Sequence, residues 1–261
     1  MQVEVNGTHL YYEQEGSGPD LVLIPGLGAS SHVFYPQLRG LSSVLRVTVV
    51  DPRGHGRSGT PPGPYSMRQF ADDYAALLQA LDLRRPVVGG SSMSTLAQVE
   101  LAAAYPDLVR GLILIGGFPV LPPAGRERMA ARAGVAETEG MGSLADMVPQ
   151  TAMGAHTHAT QPGLVGLFRA LLLGNDPTAY AASVRAIVDA DVTPLLGQVR
   201  CPTLILLGEQ EQVAPLAQAT ALKRGIPHAD LRILPDCGHL PFLEQPARFN
   251  AAVQEWIAGL P

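Results

Sequence analysis

The sequence predicts an α/β protein with a mostly parallel central sheet, helices on both faces and a helical insertion. Three observations carry this. Short, continuous apolar runs recur along the chain, as strands covered on both faces require. Helical patterns separate them, and strand–helix alternation builds parallel sheets. From about Pro119 to Pro194 the rhythm breaks into helix-like segments rich in Ala and Met, with Gly and Pro interruptions and no strand.

The first 13 residues read as a β-hairpin turning at Asn6-Gly7, a dipeptide that tolerates the left-handed backbone of a two-residue turn. Strands are expected at 20–24, 44–50, 86–88, 112–115, 203–207 and 231–234, and helices at about 66–82, 93–105, 215–224 and 246–258. The boundaries that result are a core of residues 1–118 and 195–261 and a helical cap of 119–194.

Composition narrows the function. In 261 residues, 46% are hydrophobic and 16% charged, enough apolar matter for a large core. The net charge of −5 argues against nucleic acid, whose phosphates call for a basic face. No apolar run reaches the ~18 residues of a membrane span. The N-terminus lacks the basic-then-apolar layout of a signal peptide, so a cytoplasmic protein is expected, with Cys201 and Cys237 as reduced thiols. Nothing specifies an oligomeric state.

The chemistry centres on Gly90-Ser91-Ser92-Met93-Ser94, between a core strand and a helix. A nucleophile on such a tight turn is held in strained backbone with its hydroxyl exposed. The residues two before and two after it crowd each other, and Gly90 and Ser94 are both small. Placing the nucleophile at Ser92 also aims the Met93 amide, at a helix N-terminus, where an oxyanion would form. Taken alone, the stretch reads equally as a serine-rich helix cap.

Other stretches favour the catalytic reading. The strand at 20–24 ends in Pro25-Gly26-Leu27-Gly28, whose amides, Leu27 first, offer a second oxyanion donor. His239 follows the last strand, at the carboxyl edge where open α/β sheets place their sites. After the strand at 203–207 come two acids, Glu211 as the expected partner of the imidazole and Glu209 as the alternative. The order is then Ser, acid, His.

These residues resemble the α/β-hydrolase fold. Asp51-Pro52-Arg53-Gly54-His55-Gly56-Arg57-Ser58 is similar to that family's D-x-R-G-H-G-x-S segment, and Gly238-His239 through Glu244-Gln245-Pro246 to its G-H-x-x-x-x-E-x-P segment. The resemblance implies Ser92 as nucleophile and His239 as base, with loop or structural roles for His55 and Glu244. This chain departs from the family in three places. Ser94 stands where the family's G-x-S-x-G usually ends in Gly, beside the oxyanion region. Ser91 replaces the usual His, and Glu211 replaces the usual Asp. Phrases at 61–66, 140–148, 169–173, 180–182 and 189–191 resemble 3-oxoadipate enol-lactonases.

The expected function is that of a serine hydrolase acting on a small-molecule ester or lactone through an acyl-enzyme, with no metal or organic cofactor. Amide or carbon–carbon hydrolysis on the same triad is the alternative. Arg132, Arg169 and Arg185 are candidates to pair with a substrate carboxylate, or else solvated helix residues. Two readings from other classes compete. Gly26-Leu27-Gly28 with Asp51 about 20 residues on partly fits a dinucleotide fingerprint. A ligand sensor could keep the triad and signal through its cap. His156 and His158 form a weak metal pattern without a third ligand. Met129, Met141, Met147 and Met153 read as cap packing on an apolar pocket, and Cys237 as a buried thiol near His239.

Overall fold

The computed structural model describes all residues, Met1–Pro261. Eight strands form one sheet: β1 (Gln2–Val5), β2 (Thr8–Glu15), β3 (Asp20–Ile24), β4 (Arg46–Val50), β5 (Val87–Ser91), β6 (Gly111–Ile115), β7 (Thr203–Gly208) and β8 (Ala229–Leu234). Their spatial order is β1-β2-β4-β3-β5-β6-β7-β8. The β1–β2 hairpin joins antiparallel, and every pairing from β4 to β8 is parallel. Asn6, at the hairpin turn, takes φ 40°.

The continuous apolar runs are explained by two-sided burial. Along β3, Leu21 and Leu23 face one hydrophobic layer while Val22 and Ile24 face the other, and β6 and β7 alternate in the same way. Helices cover both layers: α1 (Tyr35–Leu41), α2 (Met67–Ala80), α3 (Met93–Ala104), α9 (Leu216–Gly225), α10 (Pro241–Glu244) and α11 (Pro246–Ala258). Ser66 caps α2, its side chain accepting from the Gln69 N–H. The helix α1 is absent from the periodicity reading, because Pro36 and Gly40 sit in a short segment that looks like a loop.

Between β6 and β7 lie five consecutive helices: α4 (Pro123–Glu139), α5 (Gly142–Ala152), α6 (Ala155–Thr160), α7 (Pro162–Leu173) and α8 (Pro177–Asp189). The segment read as strandless does pair at one point. Val120 and Asp191 form an isolated antiparallel bridge, and the Val192 N–H donates to the Pro119 carbonyl at 3.0 Å. Both ends of the inserted helices are thus tied together at the sheet.

One buried ion pair braces the carboxyl edge. The Arg53 guanidinium meets the Asp73 carboxylate through two bonds of 2.7 and 2.8 Å, with side chains only 3% and 0% exposed. It also donates to the Asn6 carbonyl, and the Asn6 amide donates to Asp73. The hairpin turn, the loop after β4 and α2 therefore share one network. Removing one partner strands a buried charge, so Asp73→Asn should lower unfolding free energy by about 3–5 kcal/mol in urea denaturation. The double variant Arg53→Met/Asp73→Leu should lose much less.

Candidate active site

The register of the sheet assembles the site. The strand order reverses at β3, so β3 and β5 lie side by side with Ile24 opposite Gly90. This switch point is where open α/β sheets leave a crevice beyond their carboxyl ends. It brings the loop at Pro25-Gly26-Leu27 beside the turn at Ser92.

Ser92 is the single residue between β5 and α3, with φ 51° and ψ −115°. Residues with a Cβ avoid this region unless the surroundings impose it. Here the Ser92 N–H donates to the Ile115 carbonyl at 2.8 Å. Its own carbonyl accepts from the Thr95 N–H at 3.0 Å and the Thr95 hydroxyl at 2.6 Å. Ser92 lines the main cavity, as does the more deeply buried Ser91.

His239 lies beyond β8 and Glu211 beyond β7. The His239 Nδ1 and a Glu211 carboxylate oxygen are 2.6 Å apart, with side chains 6% and 2% exposed. The other Glu211 oxygen accepts from the N–H groups of Val213 and Ala214, at 2.6 and 3.0 Å. Burial pushes the Glu211 carboxyl up, but the His239 ring and those two N–H groups outweigh it and hold the acid below its ordinary value. Glu209 instead faces the Asp236 N–H, so the side chain at 211 is the one that reaches the ring. With Nδ1 engaged, Nε2 is the free nitrogen. Ser92 and His239 line the same cavity, and no hydrogen bond joins the hydroxyl to the ring. Such bonds are often long without substrate.

Gly116 supports this pair and is missing from the residues singled out by sequence. Its φ is 54°, and a Cβ there would lie 2.7 Å from His239 Nδ1 and 3.1 Å from the Glu211 carboxylate. The doublet Gly116-Gly117 directly after the apolar run of β6 was its only trace.

The two expected oxyanion donors flank Ser92. The Leu27 N–H makes no hydrogen bond within the chain. The Met93 N–H opens α3, where a helix leaves its first donors free. Ser94 is wholly buried, and its hydroxyl donates to the Pro25 carbonyl at 2.6 Å.

The remaining sequence candidates divide clearly. Glu244 is a buried carboxylate that accepts from the N–H groups of Gly154, Gly238 and Leu240 and from the Thr157 hydroxyl, at 2.7 to 3.2 Å. His55 is buried with Nδ1 on the Arg53 carbonyl, and burial pushes its pKa down, so the ring is neutral. Asp51 is wholly buried and accepts from the N–H groups of Ser31, in the segment after β3, and Arg57, in its own loop, which removes it as a ribose ligand and with it the dinucleotide reading. Cys201 and Cys237 are free and buried. Burial pushes the Cys237 thiol up to about 12, and it points at the Leu234 carbonyl rather than the cavity. His158 turns to the Pro149 carbonyl, and no group of three or more metal-ligating side chains is gathered anywhere. Arg169 and Arg185 are taken up by Asp146 and Glu137. Arg132 lines the cavity, its Nε buried without a partner and its guanidinium 5.3 Å from the Tyr180 ring centre.

The cavity measures 680 Å³ and runs from Ser92 and His239 to the inserted helices. Sixteen of its 27 lining residues are hydrophobic, including Met129 and Met147, which suits a mostly apolar organic ligand. Met141 and Met153 are buried in packing instead.

A serine on a strained strand-to-helix turn, with an imidazole and carboxylate from later strand ends, defines a class of hydrolase scaffolds. Comparison with known proteins agrees: the alpha/beta hydrolase family matches residues 21–252, and the chain belongs to that family. Among solved structures, a thermophilic esterase from Thermogutta terrifontis with malate bound superposes with a TM-score of 0.94 at 30% identity, over 99% of this chain and 98% of the other. The enol-lactonase from Burkholderia xenovorans LB400 gives 0.93 at 31% identity, over 99% and 100%. The 2-(acetamidomethylene)succinate hydrolase of Mesorhizobium japonicum (strain LMG 29417 / CECT 9101 / MAFF 303099) is 28% identical over 91% of this chain and 87% of its own.

The Glu211 carboxylate makes acid stability testable. Its folded pKa lies below the ordinary 4.5, so its contribution is complete above the unfolded value and is lost as pH falls through the folded one. Glu211→Gln does not titrate. The gap in urea stability between wild type and Glu211→Gln should therefore be widest near neutrality and shrink as pH falls below 4.5.

Proposed function

We propose that this hydrolase cleaves small carboxylic esters or lactones through an acyl-enzyme on Ser92. The observation that carries the reading is the 2.6 Å contact between Glu211 and His239 Nδ1, which leaves Nε2 free in the cavity that Ser92 enters. His239 Nε2 takes the Ser92 proton as the hydroxyl oxygen bonds to the acyl carbon. Glu211 holds the tautomer and stabilises the imidazolium. The N–H groups of Leu27 and Met93 receive the oxyanion, each worth on the order of 3 kcal/mol of barrier. Collapse breaks the carbon–oxygen bond, and the imidazolium returns its proton to the leaving alkoxide. In a lactone this alcohol stays tethered to the acyl group. A water then gives its proton to Nε2 and adds to the acyl carbon. The second collapse frees the acid and restores Ser92.

The cavity also favours a substrate with an acid group. Arg128 and Arg132 lie four apart on α4, both line the cavity, and neither belongs to an ion pair. Like charges at that spacing disfavour a helix by about 0.2–0.5 kcal/mol, a cost that a bound anion would relieve. A malate-bound esterase and an enol-lactonase among the similar structures support this substrate class.

With p-nitrophenyl esters, wild type should turn over many times, and Ser92→Ala should lose at least about a thousandfold in kcat. Full activity in that variant, or a single slow turnover by wild type, would sink the reading. Arg132→Gln should lose about 10- to 100-fold in kcat/KM for a hemisuccinate ester while changing little for the neutral acetate ester.

A further inference from the structure

We infer that Ser94 is a positioning residue that clamps the oxyanion loop; the role rests on the proposed reading of Ser92 and Leu27. The usual residue of the family at this place is Gly, which has no side chain with which to make the bond seen here. The Ser94 hydroxyl, 0% exposed, donates to the Pro25 carbonyl at 2.6 Å. That carbonyl is buried and accepts no backbone hydrogen bond, so the hydroxyl satisfies it.

A second hydroxyl backs this bond. The Tyr74 oxygen lies 3.4 Å from Ser94 Oγ, and the tyrosine is buried. Burial pushes its phenol up, so it stays protonated. With the Ser94 proton committed to Pro25, the phenol donates to Ser94. Tyr74, Ser94 and Pro25 then form one oriented chain from α2, through the nucleophile's helix, to the end of β3.

The leverage on catalysis comes from the two residues after Pro25. Proline has no N–H, so its carbonyl is the only backbone polar group it can use for anchoring. Only the two torsions of Gly26 separate that carbonyl from the peptide carrying the Leu27 N–H. Glycine is the residue least able to restrain those torsions itself. Holding the carbonyl therefore limits the rotation of the donor. A preorganised donor favours the transition state, whereas a swinging one must be ordered during reaction.

The test uses Ser94→Gly, Ser94→Ala and Tyr74→Phe in the full-length protein, with a neutral p-nitrophenyl ester. Both Ser94 variants should lose about tenfold in kcat with KM within about twofold. Affinity for a boronic acid or trifluoromethyl ketone that mimics the tetrahedral state should fall by the same factor. Tyr74→Phe should shift both quantities the same way by less. The NMR order parameter of the Leu27 N–H should fall in the Ser94 variants, a readout that needs no turnover. Unchanged kcat and analogue affinity would overturn the clamp, even if the melting temperature fell. A wild type without ester turnover, together with a lower Leu27 order parameter in the variants, would instead sink the hydrolytic reading and leave the clamp standing. Should Ser94→Gly fray the start of α3, Ser94→Ala removes the same bond without adding backbone freedom.

Discussion

The backbone of one residue, Ser92 at φ 51°, underlies the geometry of the site. It is an unfavourable conformation for a side chain with a Cβ, and it persists because neighbours determine it from both sides. The N–H bond to Ile115 draws the turn toward β6, and the two Thr95 bonds seat its carbonyl on the first turn of α3. Cooperative packing of β5 between β3 and β6 supplies the free energy that holds it. The hydroxyl is raised as a by-product of how a buried strand has to enter a helix.

The other groups arrive by the same logic. Parallel strands deliver their carboxyl ends to one edge, so residues 26, 92, 116, 211 and 239, remote in sequence, become neighbours. The edge also sorts charge. Buried carboxylates there are set against N–H groups, as Asp51 and Glu244 are, against a guanidinium, as Asp73 is, or against an imidazole, as Glu211 is. The inserted helices contribute an apolar wall with two arginines outside any ion pair.

Much of this was legible in the sequence, for identifiable reasons. The strands of the sheet showed because two-sided burial writes continuous apolar runs, and Asn6-Gly7 announced its hairpin. Ser92, Glu211 and His239 stood out because each lies just past such a run. What escaped detection had little or no local signature. The helix α1 hides behind Pro36 and Gly40. The Val120–Asp191 bridge joins residues with 70 others between them and leaves no periodic trace. Gly116 matters only through side chains that meet it in space, and the partner of Ser94 is a carbonyl 69 positions away. The preference for Glu211 over Glu209 could not be decided from spacing, because it depends on which way a loop turns.

Glu244 carries a mechanical corollary. Its one carboxylate binds Gly238 and Leu240, on either side of His239, and also Gly154 and Thr157 at the head of α6, while the His239 N–H itself holds the Ala152 carbonyl. The roof over the cavity and the strap bearing the imidazole are therefore riveted into one piece. Lifting that corner of the roof means tearing the base out of register. The door and the engine do not move independently here.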